Sequence, residues 1–347
     1  VSAPPAASAV PVLRSVPEDF VVDEIPLYPP SGEGGHTFVW VEKRFRTTEE
    51  IARALARAGD VAPRDVGYAG RKDRVAVTRQ WFSVPGLAPE RALELELPGA
   101  RVLEARRHGH KLRTGQLRGN RFEIVVRNVD AALAARAAKR LAEGLRRGFP
   151  NRFGEQRFGR DGANASAGLA ALRGETVRGA PRSDRRALRF LVSALQSAVF
   201  NEALRLRDVP LDGLEDGDVA MVLASGGLFL VEDAVVEGPR AAAGEVSATG
   251  PMFGTRTLDP RGRPAERERQ ALRQAGLDPD VPLPALPGLR LRGTRRALRM
   301  LPSEADQAFE AEALRLRFTL PPGGYASVLL EEVIGTSAPI GVSPQVT

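Results

Sequence analysis

The 347-residue chain contains no cysteine, which excludes a disulfide framework, a thiolate zinc site and a cysteine nucleophile and fits a reducing compartment. A cytoplasmic location is the resulting expectation. No apolar run approaches the roughly 18 residues needed to cross a bilayer, so no membrane association is expected. The phosphate-cradling run GxxxxGK[ST] is also missing, and with it the ordinary route to nucleotide hydrolysis. So is GxSxG, the sharp serine turn of many hydrolases. The opening "VSAPPAASAVPVL" lacks the basic segment of a secretory signal and is broken by prolines, so residues 1–12 are expected to form a disordered leader.

What is abundant is positive charge. Lys and Arg total 50 against 43 Asp and Glu, for a net charge of +7 and a pI near 10.4. Almost all of the cations are arginine, whose planar fork grips phosphate bidentately and stacks on bases. A polyanionic partner is the first expectation and nucleic acid the leading one, against the plainer reading that arginine merely replaces lysine on solvated faces.

A hydrophobic content of 43% over this length can fill two cores. "FVVDEI" and "TFVWVEK" read as strands around a Pro- and Gly-rich loop. "TTEEIARALARAGD" carries a capping box, Thr47 with Glu50, ahead of a helix that buries Ile51 and Leu55 with the small Ala54 and Ala58 and ends at Gly59. "RFEIVVRNV" alternates as a half-buried strand, and the next segment stripes Leu133, Ala137, Leu141 and Leu145 along a helix that stops at Gly148. The strongest helix follows the cap candidate Ser183. From about Asp212 the pattern shifts to short strands and turns, then to Pro-, Arg- and Glu-rich loops. Clean alternation returns at Leu314, Leu316, Phe318 and Leu320, so this last strand should join the first sheet and make the middle an insertion.

The candidate chemistry is sparse. His36, His108 and His110 are the only histidines; His108 and His110 could share one side of a strand, but no neighbouring ligand pattern completes a metal site, so they are read as surface or RNA-facing groups. "GYAG" matches the GxxG loop of KH domains without their helix-loop-helix setting, since a β-branched run follows. Paired carboxylates at Glu49 and Glu50, or Glu331 and Glu332, fit solvated helix faces and caps. Asp73 in "GYAGRKDRVAVTRQWFSV" stands apart, with Lys72 and Arg74 on either side and Arg71 and Arg79 nearby. Such a carboxyl should stay ionised at neutral pH, a poor general acid but an available anionic nucleophile. An ordinary ion-pair network on a loop is the competing reading.

Several segments together resemble the tRNA pseudouridine synthase D family. "GYAGRKDRVAVTRQWFS" is similar to its Gly-x-Lys-Asp and Ala-Val-Thr-x-Gln signature, and "PEDFVVDEIPLYPPSGEGGHTFVWVEK" to its N-terminal segment. "HKLRTGQLRGNRF", "PNRFGEQRFGRDGAN", "ATGPMFG" and "LPPGGYASVLLEE" resemble later blocks, in the family's order from about residue 13 to residue 334. The resemblance implies an isomerase that converts uridine 13 of transfer RNA to pseudouridine without cofactor or metal. It implies that Asp73 is the nucleophile and that Phe20, Asn120 and Tyr325 hold the target base, Tyr325 standing where the family more usually has phenylalanine. Lys72, Arg71 or Arg113 could keep the carboxylate ionised and oriented, and Lys72 and Arg113 are counted with the substrate-binding residues.

The fold implied is α/β of the mixed α+β kind. Residues 13–154 and 301–347 would form a catalytic domain around a mainly antiparallel mixed sheet. Residues 155–300 would form an inserted α/β domain, the second wall of a cleft around the tRNA elbow. A monomer with tRNA as its partner and no obligate protein partner is expected. The competing functions are a pseudouridine synthase for another structured RNA and a non-catalytic RNA-binding protein.

Overall fold

The computed structural model of the protein describes residues 10–177, 179–181, 183–283, 290–335 and 341–342. The chain divides into two compact units, one of residues 1–142, 302–324 and 333–347 and the other of residues 143–301 and 325–332. The second unit thus begins before residue 155 and takes in a short segment near the C-terminus. Of the expected leader, residues 1–9 lie outside the described residues, while Val12 and Leu13 are already paired in a strand. Among the described residues no helix is long and apolar enough to cross a membrane.

The first unit is built on one sheet. In chain order its strands are β1 (Val12–Leu13), β2 (Phe20–Pro26), β3 (His36–Arg44), β4 (Gly67–Tyr68), β5 (Val77–Pro85), β6 (Ala100–His108) and β7 (Leu117–Arg127). The hairpin of Ser303–Glu310 and Ala313–Leu320 and the short strand Gly341–Val342 complete it. The spatial order runs from the hairpin through Ala313–Leu320, β7, β2, β5 and β3 to β6. Only β2 with β5 and β1 with Gly341–Val342 run parallel; the sheet is mixed and mainly antiparallel, with the late strand against β7 as its alternation required.

Register gives the two faces opposite characters. Phe318, Phe122, Val22, Thr78 and Lys43 lie in one cross-strand row; two residues along, Leu320, Asn120 and Glu24 align, and Gln80 opposes Val41. Directly opposed residues share a face, so this face is largely apolar but carries a buried lysine, glutamine and glutamate. The other face bears a ladder of charge: Arg79 bonds Asp23 at 2.9 Å and Glu42 at 2.8 Å, and Arg101 reaches Glu42 at 3.1 Å. Arg79 therefore points away from Asp73, despite its nearness in sequence.

Helix α1 (Thr48–Ala58) packs on the apolar face, started by the Thr47–Glu50 capping box and ended at Gly59. Its buried small residues are Ala52 and Ala56 rather than Ala54 and Ala58, because they flank Ile51 and Leu55 on the same arc of the helix. Helix α2 (Pro89–Leu93) is short, and α3 (Ala131–Arg147) buries Leu133, Ala137 and Leu141 but leaves Leu145 exposed.

The second unit contains α4 (Ala163–Leu172) and α5 (Arg185–Arg205), with a four-stranded antiparallel sheet whose central strands are Val219–Val222 and Val246–Met252. The cap of α5 is Asp184, whose carboxylate accepts from the backbone N–H groups of Arg186 and Ala187, not Ser183. The segment expected to be loop contains a helix, Gly262–Gln274, hidden in the sequence by its charged residues and by Pro264. Proline is tolerated in the first turn, where its missing N–H has no partner to lose.

Leu316 is fully buried opposite Ile124. Leu316→Ala should destabilise the first unit by about 2–5 kcal/mol. Both tryptophans, Trp40 and Trp81, belong to that unit, so urea unfolding followed by their fluorescence reads this loss without the other unit's transition.

Candidate active site

Asp73 lies on the loop between β4 and β5, and that loop is fixed through its main chain. The side-chain amide of Gln80 donates to the Gly70 carbonyl at 3.0 Å. The backbone N–H of Lys72 donates to the Thr48 hydroxyl at 2.9 Å, and that hydroxyl donates in turn to Gln80 at 2.9 Å. The ammonium of Lys43, on β3, donates to the Asp73 carbonyl at 2.7 Å and reaches the Lys72 carbonyl at 3.4 Å. Four polar contacts from α1, β3 and β5 thus hold the main chain of Gly70, Lys72 and Asp73. The Asp73 side chain, by contrast, is 43% exposed.

The carboxylate has one ion-pair partner among the described residues, Arg14, at 2.6 Å. The Arg14 guanidinium also lies over the Phe20 ring, 4.1 Å from its centroid, so a single cation links the nucleophile candidate to the ring expected to stack on the base. Phe20 itself is 5% exposed and packs edge-on against Phe122. Arg14 adopts a left-handed backbone conformation with φ of 58°. In the sequence its only mark is that of a lone base shortly before "PEDF", after a proline-rich stretch.

The cations expected beside Asp73 are engaged elsewhere. Lys72 donates to Glu24 at 2.7 Å in a pair whose side chains are 6% and 1% exposed. Arg71 bonds Glu49 at 2.5 Å, and the Arg74 guanidinium donates to the Phe45 carbonyl at 3.3 Å. Burial pushes Glu24 above the usual carboxylate range, opposed by the charge and hydrogen bond of Lys72 and by the backbone N–H of Trp81. Arg113 is exposed on the turn before β7, where its backbone N–H donates to Gln116.

Asn120 is opposite Glu24 on one side and Leu320 on the other. Its side-chain oxygen is buried and accepts no hydrogen bond, an exposed need in the physical sense, since an unpaired buried acceptor costs about 1–3 kcal/mol. The "GYAG" glycines have separate causes. A side chain at Gly67 would run into the Leu112 carbonyl, whereas one at Gly70 would meet nothing closer than the Lys72 ammonium at 3.8 Å. Only the second leaves space beside the loop.

Tyr325 belongs to the second unit. Its ring meets Phe153 at 5.9 Å, Phe153 meets Phe200 at 5.6 Å, and the Arg296 guanidinium lies 4.3 Å from the Phe153 centroid. Asn201 clamps Phe153 by accepting from its N–H and donating to its carbonyl, at 2.8 and 2.9 Å. Burial pulls Arg296 down to about 10, opposed by Tyr325. Phe153 of the "NRFG" segment is therefore part of a core. Tyr325 remains half-buried at its edge.

A family model described as tRNA pseudouridine synthase D matches residues 8–180 and 169–333. The chain belongs to the tRNA pseudouridine synthase D family. Curated family members similar to it include that of Anaeromyxobacter sp. strain Fw109-5, 44% identical over 331 residues covering 94% of this chain and 93% of the relative. That of Thermus thermophilus is 41% identical over 331 residues, covering 94% and 89%; that of Geobacter metallireducens is 39% identical over 387, covering 94% and 95%. A solved structure from Methanosarcina mazei assigned to tRNA pseudouridine synthase D superposes with a TM-score of 0.70 over 94% of each chain at 23% identity, a likeness of fold.

If the Lys72 side chain supports the loop through Glu24, Lys72→Met should cost about 3–5 kcal/mol by stranding a buried carboxylate, and adding Glu24→Gln should recover most of it. Tryptophan-monitored urea unfolding of the two variants measures this; a Lys72→Met protein as stable as wild type would place the role of Lys72 elsewhere.

Proposed function

We propose that this chain is an isomerase that converts uridine 13 of transfer RNA to pseudouridine, with Asp73 as the nucleophile. The observation that carries the reading is the contrast at Asp73: a main chain fixed by buried groups of three elements, and a carboxylate left half-exposed with a displaceable arginine partner. Preorganised main chain with an accessible anion is what attack on a bound substrate needs. Family membership supplies the substrate class.

The reaction cleaves the bond from uracil N1 to ribose C1′ and joins C5 to the same carbon; C5 loses its proton, N1 gains one, and no electrons enter or leave. The detached base must be held throughout. Asn120 supports this role with its unpaired buried oxygen, an acceptor suited to the N3–H of uracil and unsuited to cytosine, which has no proton there. A base stacked on Phe20 would take the place the Arg14 guanidinium now holds, leaving that cation free for a phosphate. Tyr325 is read as a second stacking ring, with its hydroxyl added to the usual phenylalanine face; such contacts are worth about 1–3 kcal/mol each. Arg113, exposed and without an ion-pair partner among the described residues, is read as a phosphate contact, and Lys72 as support for the loop. The protein is expected to act in the cytoplasm as a monomer without an obligate protein partner.

Incubated with unmodified tRNA carrying tritium at uracil C5, the wild-type protein should release label to water, and Asp73→Asn should release it at least about a thousandfold more slowly. Release at the wild-type rate by the variant removes Asp73 from the chemistry; no release by the wild type, despite binding, leaves an RNA-binding protein. A tRNA with cytidine at position 13 should give no pseudouridine when the product is mapped by sequencing, and modification elsewhere in that tRNA would reassign the target.

A further inference from the structure

Lys43 is fully buried on the sheet face that carries the site, and it does not belong to the loop it touches. It is one of only four lysines in a chain with 50 Lys and Arg, and it makes no ion pair within 4 Å among the described residues. Its ammonium ends on the carbonyls of Asp73 and Lys72. The charged groups that face it are Asp73 and Lys72 on the loop and Glu49 and Glu50 on α1; its cross-strand neighbours, Thr78 and Ala100, do not titrate. A buried cation spent on two main-chain oxygens is an expensive way to fill space, and a methionine would fill it without the charge.

We propose that Lys43 is a positioning residue for the reaction: its charged ammonium holds the carbonyl of Asp73, fixes where the Asp73 carboxylate is presented, and acts on turnover rather than on tRNA binding. This rests on the assignment of Asp73 above. Charge-assisted hydrogen bonds are roughly twice as strong as neutral ones, so the hold weakens when the ammonium loses its proton. Burial pulls Lys43 down to about 8 against the field of Asp73, which brings that loss within reach of mildly alkaline solution.

The same proton gives opposite signs to stability and activity. A lysine whose folded pKa lies below its unfolded one penalises the folded state while both forms are protonated, and the penalty fades as pH rises from about 8 toward 10.5. The contribution of Lys43 to stability therefore increases with pH over the interval in which its grip on Asp73 weakens. If it served only to support the fold, activity would follow stability.

The test is steady-state tritium release by the full chain on saturating and limiting tRNA, from about pH 7 to about pH 9, beside thermal unfolding at each pH. Wild-type kcat should fall severalfold across the interval with KM little changed, while stability does not fall with it. Lys43→Met should lower kcat at pH 7 by about tenfold or more, leave KM within about twofold and lack the alkaline fall. Lys43→Arg, if it folds, should restore part of kcat and also lack that fall. A flat wild-type profile overturns the proposal even if neither variant folds; so does a folded Lys43→Met with wild-type kcat or with the alkaline fall intact, which would assign the titration to uridine or another group. Wild type inactive at every pH would instead remove the assigned reaction.

Discussion

Everything proposed for Asp73 depends on hydrogen bonds made by the main chain of its loop, not on the ion pairs suggested by its neighbours. A carboxylate that must attack one atom has to be placed within fractions of an ångström, and a long exposed cation cannot do that. Thr48, Gln80 and Lys43 can, because each is buried and anchored in a helix or strand. Their targets are carbonyls and an N–H whose positions follow directly from the backbone. The cations of "GRKD" then have other work: Lys72 offsets Glu24 inside, while Arg71 and Arg74 tie the loop to Glu49 and to the Phe45 carbonyl.

Much of the fold was legible because hydrophobic period and helix punctuation are local. The alternation of Phe122, Ile124 and Val126, the capping box at Thr47 and the returning pattern at Leu314 to Leu320 each describe a segment by its own residues. The helix Gly262–Gln274 was not legible, since few of its residues are apolar and its buried ones, Pro264 and Ala271, are a poor hydrophobic signal. Asp184 displaced Ser183 as the cap because both types suit that position and one step of backbone decides between them.

The site was legible in its chemistry and illegible in its wiring. Asp73 could be singled out as an acid among cations, but which cation would pair with it depends on where four strands and a loop come together. Arg14, 59 residues away, supplies the contact. Nothing local marks Lys43 or Glu24 within the strands "TFVWVEK" and "FVVDEI"; only the alignment of β2, β3 and β5 reveals that both face inward. Motif resemblance located the residues that do the chemistry, while the residues that hold them still lay scattered among unremarkable positions.

The two faces of the first sheet give this arrangement an error check. Along β2, Glu24 and Asp23 are adjacent acids that differ only in the face they occupy, one paired with Lys72 and the other with Arg79. A slip of one residue would present Asp23 to the core and send Glu24 to the charge ladder, breaking both pairings at once and turning Phe20 outward. Misalignment thus costs stability and not merely precision: it exposes an aromatic ring and faces Lys72 with a shorter acid.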